Sequence, residues 1–267
     1  MSIGKYCYYF VLLLSLVKSQ ALSSDSLAEE ATLVVTRIEM LEFEDDLSIT
    51  TYNAHGSSNS FYIKPTYQFP TAEKIGYDQL VRIKSPLFVT YPKSKTTFAS
   101  YSTGDTQIFD LLVLKDNNVF RLGLGFVAII PTATKVQAGQ GKWQLGPAFG
   151  FSYTGIPRWQ FSLLAQNPNS FAGISKLPKQ RTVLFKPAIV WHFTRNWYVT
   201  SDAEWTLYWS RRQYQIPVNF GIGRIVKLLP SEQKVNISAK AEWMAYHHTP
   251  QVVPKFTAQI SLAFLFP

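Results

Sequence analysis

Twelve stretches of this chain alternate apolar and polar residues with a period of two, and no apolar run reaches the roughly eighteen residues that a membrane-crossing helix needs. Lys142 to Tyr153 shows the pattern best. Trp143, Leu145, Pro147, Phe149, Phe151 and Tyr153 fall on one face of a strand, and Lys142, Gln144, Gly146, Ala148, Gly150 and Ser152 on the other. The segment 256–266 repeats it, with Phe264 and Phe266 on the oily side. Comparable stretches lie near 59–69, 78–89, 105–114, 119–130, 157–167, 182–193, 196–208, 214–226 and 234–246, and a weaker one near 46–53. The expected class is therefore all-β, with about twelve antiparallel strands and ten or fourteen as the neighbouring counts.

Alternation alone does not distinguish a sandwich core from a barrel in lipid, because both have the same period. Composition favours the barrel. Charged residues make up 16 % of the chain, below the roughly 25 % usual in soluble domains, while Trp, Tyr and Phe together number 40. Trp143, Tyr153, Trp191, Trp197 and Trp243 sit near strand ends on the oily face, where amphipathic rings meet a membrane interface. Phe149, Phe151, Phe264 and Phe266 complete the expected lipid-facing set. The other face is small and polar with scattered charges: Arg82, Lys84, Arg121, Arg158, Lys186, His192, Asp202, Glu204, Lys240 and Glu242 are the expected lumen lining. Bases outnumber acids in that set, which predicts mild anion preference. A hairpin centred on Thr194 would set Lys186 opposite Asp202, either as a structural cross-strand pair or as part of a charged constriction. A soluble exported sandwich is the competing fold.

Connection lengths agree with the barrel. Short turns are expected at Lys115 to Asn118, Thr154 to Ile156, Thr194-Arg195 and Leu228 to Gln233, and long outer loops at Tyr91 to Gly104, Pro131 to Gly141 and Pro168 to Arg181. The basic residues of the outer loops (Lys93, Lys95, Lys135, Lys176, Lys179, Arg181, Arg211, Arg212) either solubilise them or meet anionic headgroups.

The N-terminus divides into two parts. Lys5, the apolar run Phe10 to Val17 and Ser19-Gln20-Ala21 have the order of a secretory signal cut after Ala21, which assigns 1–21 to the signal peptide; export together with the barrel pattern points to the outer membrane. Cys7, the sole cysteine, leaves with it. Residues 22–45 form an acidic segment, and within 22–46 eight acids face Arg37 alone; from 47 onward 23 Lys and Arg face nine Asp and Glu. Ser26-Leu27-Ala28-Glu29 has the spacing of a capping box, and Leu27, Ala31, Val34, Ile38 and Leu41 recur at helical spacing. A short helix and a loosely ordered leader are both open, as is a plug lying in a basic lumen. The barrel is expected over 46–267.

No chemistry of catalysis emerges. His247 and His248 are adjacent and would point to opposite faces of a strand, so they do not form a metal pair. No serine is framed as a nucleophile, and there is no phosphate loop or dinucleotide fingerprint. The reading is a non-enzyme without cofactor, metal or nucleic-acid partner, whose partners are the bilayer, the machinery that assembles barrels, and an unidentified small solute. A non-transporting surface protein with a closed lumen is the second reading.

Several motifs in order carry a resemblance: Ser57-Ser58-Asn59-Ser60-Phe61, Gly104-Asp105-Thr106-Gln107-Ile108-Phe109-Asp110, Pro131-Thr132-Ala133-Thr134, Gly141-Lys142-Trp143-Gln144-Leu145-Gly146-Pro147, Asn169-Ser170-Phe171-Ala172-Gly173, Asn196-Trp197-Tyr198-Val199-Thr200-Ser201, Ile216 to Gly223 and the closing Leu265-Phe266-Pro267. From about residue 51 to 267 the chain resembles the outer-membrane barrel family of the meta-pathway of phenol degradation, also labelled neuromedin U-like. The resemblance implies an outer-membrane barrel with a transport role and brings no catalytic residues. Lys64 and Lys186 stand where that family pattern has Gln, which implies a more basic lumen.

Overall fold

The computed structural model describes residues 27, 29–54, 56–69, 77–93, 97–117, 119–228 and 233–266; the expected signal peptide and the capping residue Ser26 lie outside them. Twelve antiparallel strands close on themselves: β1 (Glu39–Tyr52), β2 (Ser58–Phe69), β3 (Asp78–Lys93), β4 (Thr97–Ser102 and Thr106–Asp116), β5 (Phe120–Ile130), β6 (Lys142–Ile156), β7 (Trp159–Gln166 and Asn169–Gly173), β8 (Val183–His192), β9 (Trp197–Ser201 and Trp205–Tyr208), β10 (Gln213–Lys227), β11 (Lys234–His248) and β12 (Val253–Phe266). Each pairs with its sequence neighbours, and β1 pairs with β12 from Glu39↔Phe266 to Tyr52↔Val253, so the sheet has no free edge.

Tight connections gather at the end where β1 begins and β12 finishes, here called the terminal end. Ile156 pairs with Trp159 across a two-residue turn in which Arg158 has φ +69°, the left-handed position that follows Pro157 in a type II turn. Arg158 is thus exposed at a barrel rim and does not line the lumen. The opposite, loop end carries 131–141 and 174–182. Tyr91 to Gly104 is not a loop: Val89↔Ser102 through Lys93↔Thr97 extend the β3–β4 hairpin, as the β-forming Thr97, Phe98 and Tyr101 favour. Arg181 stacks on Trp209, 5.4 Å from the ring centre, and Arg211 Nη2 donates to the Lys179 carbonyl at 3.1 Å, so these loop bases tie two loops together.

Outward faces are oily. Leu124, Leu145, Ile189, Phe220, Ile237 and Ile260 are large exposed apolar side chains on successive walls. Trp143, Trp191 and Trp243 share that face, as do the less exposed Phe149, Phe151, Tyr153, Trp197, Phe264 and Phe266. At the terminal end a ladder of rings crosses β7, β8 and β9, with Trp159 stacked on Phe161 and Trp191 and with Phe193 between Trp191 and Trp197. Phe149 pairs with Leu124 midway along the wall. Phe149→Arg is expected to cost about 2–4 kcal/mol in urea unfolding from lipid vesicles; an unchanged midpoint would place this face away from lipid.

The chain enters the barrel from the terminal end as a plug. Helical geometry is confined to the start, among Leu27, Glu29 and Glu30, and ends before the β-branched run Thr32, Val34, Val35, Thr36. Strand β1 then begins at Glu39, seven residues before the expected boundary, and takes Leu41 out of the supposed helix onto the outer wall. Leu27, Leu33, Val34, Val35 and Ile38 are buried. Val34 and Val35 pack among Leu80, Phe109, Leu111, Val113, Val127 and Leu164 on one wall; Leu27 and Ile38 pack with Met40, Ile225, Ala263 and Leu265 on the other. Gly150 leaves the room this needs, since a Cβ there would stand 2.9 Å from Val35 Cγ2 and 2.8 Å from Leu111 Cδ1.

Candidate functional site

The lumen has three levels, each set by which residues alternate inward. At the terminal end the plug meets the apolar collar just described, and its polar groups are answered by the wall. Arg121 makes a two-pronged ion pair with Glu30, donates through Nη1 to the Val35 carbonyl at 3.1 Å, and reaches Asp116 at 3.0 Å. Arg37 pairs with the same Asp116, with Nε 2.7 Å from Oδ2. The Arg37 amide donates to Glu30 Oε2 at 2.8 Å, the Val35 amide to Ser152 Oγ at 3.2 Å, and Gln160 Nε2 to the Glu29 carbonyl at 3.1 Å. His192 is buried at this level, 3.3 Å from Gln160 Oε1 and beside the Tyr198 ring.

The middle level is charged. Lys64 pairs with Glu44 and stands 3.7 Å from Glu42. Asp202 receives both Lys186, at 3.2 Å, and Lys240, at 2.7 Å, and Asn219 Nδ2 donates to it at 3.2 Å. The same Asn219 nitrogen reaches Glu242 at 3.5 Å. Arg82 donates to Thr66 Oγ1 at 2.9 Å and lies 5.3 Å over Phe109; Lys84 lies 4.6 Å over Tyr62. Neither Arg82 nor Lys84 has a carboxylate ion-pair partner among the described residues. A chamber of about 170 Å³ separates this level from plug residues Ala31 to Val34, and above it a vestibule of about 760 Å³ opens toward the loops. Lys84, Gln107 and Glu204 border both cavities and so mark the narrowing between them.

The lumen-face positions expected from sequence are thus occupied by Arg82, Lys84, Lys186, Asp202, Glu204, Lys240 and Glu242 in one layer, with Arg121 and His192 lower down. Arg158 is the one that falls elsewhere. The Lys186–Asp202 contact is diagonal: Phe185↔Trp205 and Ile189↔Ser201 fix a register that sets Glu204 across from Lys186. Strand β1 adds Glu42 and Glu44, which sequence reasoning had left outside the barrel, and Asp46, the first residue of the expected barrel. Five bases (Lys64, Arg82, Lys84, Lys186, Lys240) therefore face six acids (Glu42, Glu44, Asp46, Asp202, Glu204, Glu242), and the ground for anion preference is gone. Reversal potentials in a planar bilayer should lie near zero. Asp202→Asn should move them toward anions by releasing two lysines at once; strong selectivity in the parent chain would contradict this balance.

Solved structures share the architecture. An outer-membrane channel from Pseudomonas putida F1 is similar with a TM-score of 0.59 at 10 % identity, over 86 % of this chain and 94 % of that one. What they share with this chain is the closed antiparallel β-barrel. The NanC porin (TM-score 0.55, 8 % identity) and the KdgM porin solved in complex with disordered oligogalacturonate (0.51, 12 %) each match over 85 % of this chain and 99 % of their own. At such identities the likeness is one of fold. No protein-family profile matches the sequence, and no curated protein does, so the resemblance to the phenol meta-pathway family rests on its motifs.

Proposed function

We propose that this protein is a passive outer-membrane channel for small polar solutes, with its terminal end toward the periplasm and a plug in its lower lumen. The observation that carries the reading is the pair of polar cavities that share Lys84, Gln107 and Glu204 in their linings, inside a wall whose outer face is oily. A lumen lined by ion pairs and amides is costly to build in a solid core and is suited to water-borne solutes. The porin neighbours support the same role, and the phenol-pathway motifs add an aromatic or anionic solute to the candidates. Residues 1–21 fit an export signal, and assembly in the membrane calls on the barrel-assembly machinery and on lipid contacts.

A second reading, a closed barrel that serves the envelope without transport, is favoured by the packing of the plug. Liposome swelling in arabinose and glycine separates the two. Swelling by the full chain supports conduction, whereas the absence of swelling by both the full chain and a chain lacking the plug supports the closed barrel.

A further inference from the structure

We infer that the outside of the barrel at its terminal end, across β7 to β10, binds an acidic phospholipid whose phosphate is held by Arg224 and Arg158. The inference rests on the proposed orientation only for the leaflet that supplies the lipid.

Arg224 carries it. Its neighbours Phe220 and Ile222 along β10 and its cross-strand partner Ile237 on β11 are large exposed apolar side chains, so strand parity puts a permanent cation on the oily face. It stands three residues, roughly 10 Å, inside the end of β10 at Lys227. A charge at that depth is tolerated when a long side chain carries it to the interface and something there answers it. Asp45 and Asp110 also face outward, and each is answered by the wall itself: Asn59 Nδ2 donates to Asp45 at 2.9 Å and Gln79 Nε2 to Asp110 at 2.7 Å. Arg224 has the Trp197 ring, 5.0 Å from its guanidinium carbon, and no carboxylate partner among the described residues. A ring on one side of a guanidinium leaves the N–H donors open, and their planar fork suits a phosphate.

The surroundings favour a lipid over a free anion. Trp197 pairs with Arg224, and the same row continues through Phe193 to the turn at Pro157-Arg158, because His192 pairs with Tyr198 and Trp191 with Trp159. The two arginines thus stand at the ends of one row about three strand spacings long, roughly 14 Å, with the stacked Phe193 and Trp197 rings between them. Trp159 and Trp191 stack alongside. Such rings lie against acyl chains while their N–H groups stay at headgroup level, so arginines and rings together match both halves of a phospholipid. Segments 153–162, 189–200 and 220–228, which form this arc, hold Arg158, Arg195, Arg224 and Lys227 and no Asp or Glu. Arg195 and Lys227 are engaged in contacts of their own, which leaves Arg158, exposed at the rim, as the second cation. The far arc has Glu39, Asp78 and Asp116 at the same end of β1, β3 and β4, so one side of the barrel is suited to an anionic headgroup and the other is not.

The test is native mass spectrometry of the full barrel released from detergent micelles, with phosphatidylglycerol and phosphatidylcholine of the same acyl chains as probes. Phosphatidylglycerol should be retained about tenfold more than phosphatidylcholine at equal concentration. Arg158→Gln with Arg224→Gln should bring it down to the phosphatidylcholine level, whereas Lys176→Gln with Lys179→Gln, at the loop end, should leave it unchanged. Heat-modifiable gel migration checks that each variant is folded, and Arg224→Gln alone, expected to lose most of the preference, replaces a double variant that fails it. Equal retention of the two lipids, or a preference that survives loss of the arginines or falls equally with the loop-end lysines, overturns the inference. Displacement of phosphatidylglycerol by inorganic phosphate, at an ionic strength matched with acetate, makes the site one for a free anion and overturns the lipid assignment too. Swelling with arabinose but no lipid preference defeats the site and keeps the channel; lipid preference without swelling does the reverse.

Discussion

Deleting residues 22–37 should raise single-channel conductance severalfold. The full chain keeps Leu33, Val34 and Val35 buried across the lower lumen, beneath a chamber of only about 170 Å³. Removing them leaves β1 intact from Glu39 and takes away the floor of that chamber. Deletion must stop before Ile38 and the strand, because Glu42, Glu44 and Asp46 belong to the wall and the first two hold Lys64 in place. The truncated barrel is also expected to unfold at lower denaturant, since Leu80, Leu111 and Val127 lose their apolar cover at about 25 cal/mol per Å² newly wetted. Conductance unchanged by the deletion would mean that the plug does not limit the path, and would leave the narrowing at Lys84 and Glu204 as the barrier.

That design was only partly legible in the sequence. The wall could be read because lipid and lumen impose opposite chemistry on alternate residues, as in Lys142 to Tyr153. The first strand was hidden by Glu44-Asp45-Asp46. Glu44 and Asp46 face inward, but Asp45 faces outward and accepts from Asn59 Nδ2 at 2.9 Å, so an acid on the oily face broke the alternation. A helical spacing through Leu27, Ala31, Val34, Ile38 and Leu41 then competed for the same residues. The collar was hidden for the opposite reason. In Leu111-Leu112-Val113-Leu114 both faces are apolar, because the inward one packs on Val34 and Val35, so the strand was legible from its start but nothing marked its inward end as a collar. The register error at Lys186 came from the turn: His192 pairs with Tyr198, which leaves five residues between the paired positions and not the two first supposed. Direct pairing with Asp202 fails, yet a long lysine still reaches it diagonally, so the contact was easier to foresee than the register.

Arg121→Ala should release the plug without dissolving the barrel. Taking one partner from a buried ion pair costs roughly 3–5 kcal/mol, because the remaining charge is left in apolar surroundings. Glu30 would keep only the Arg37 amide and the Thr36 hydroxyl, which donate to Oε2 at 2.8 and 3.3 Å, while Asp116 would retain Arg37. Undocking the segment lets Glu30 reach water and so removes most of that cost. The strands, which owe nothing to this pair, stay closed. A shift of about 3 kcal/mol changes the docked-to-released ratio about a hundredfold. The variant should therefore show the conductance of the truncated chain for much of the record, in place of a large fall in unfolding midpoint. Arg121→Met combined with Glu30→Gln removes both charges and should restore most of the closed state, because a neutral amide at position 30 still accepts from the Arg37 backbone. If the single and double variants open equally, the apolar contacts of Val34, Val35 and Ile38 hold the plug and the ion pair does not.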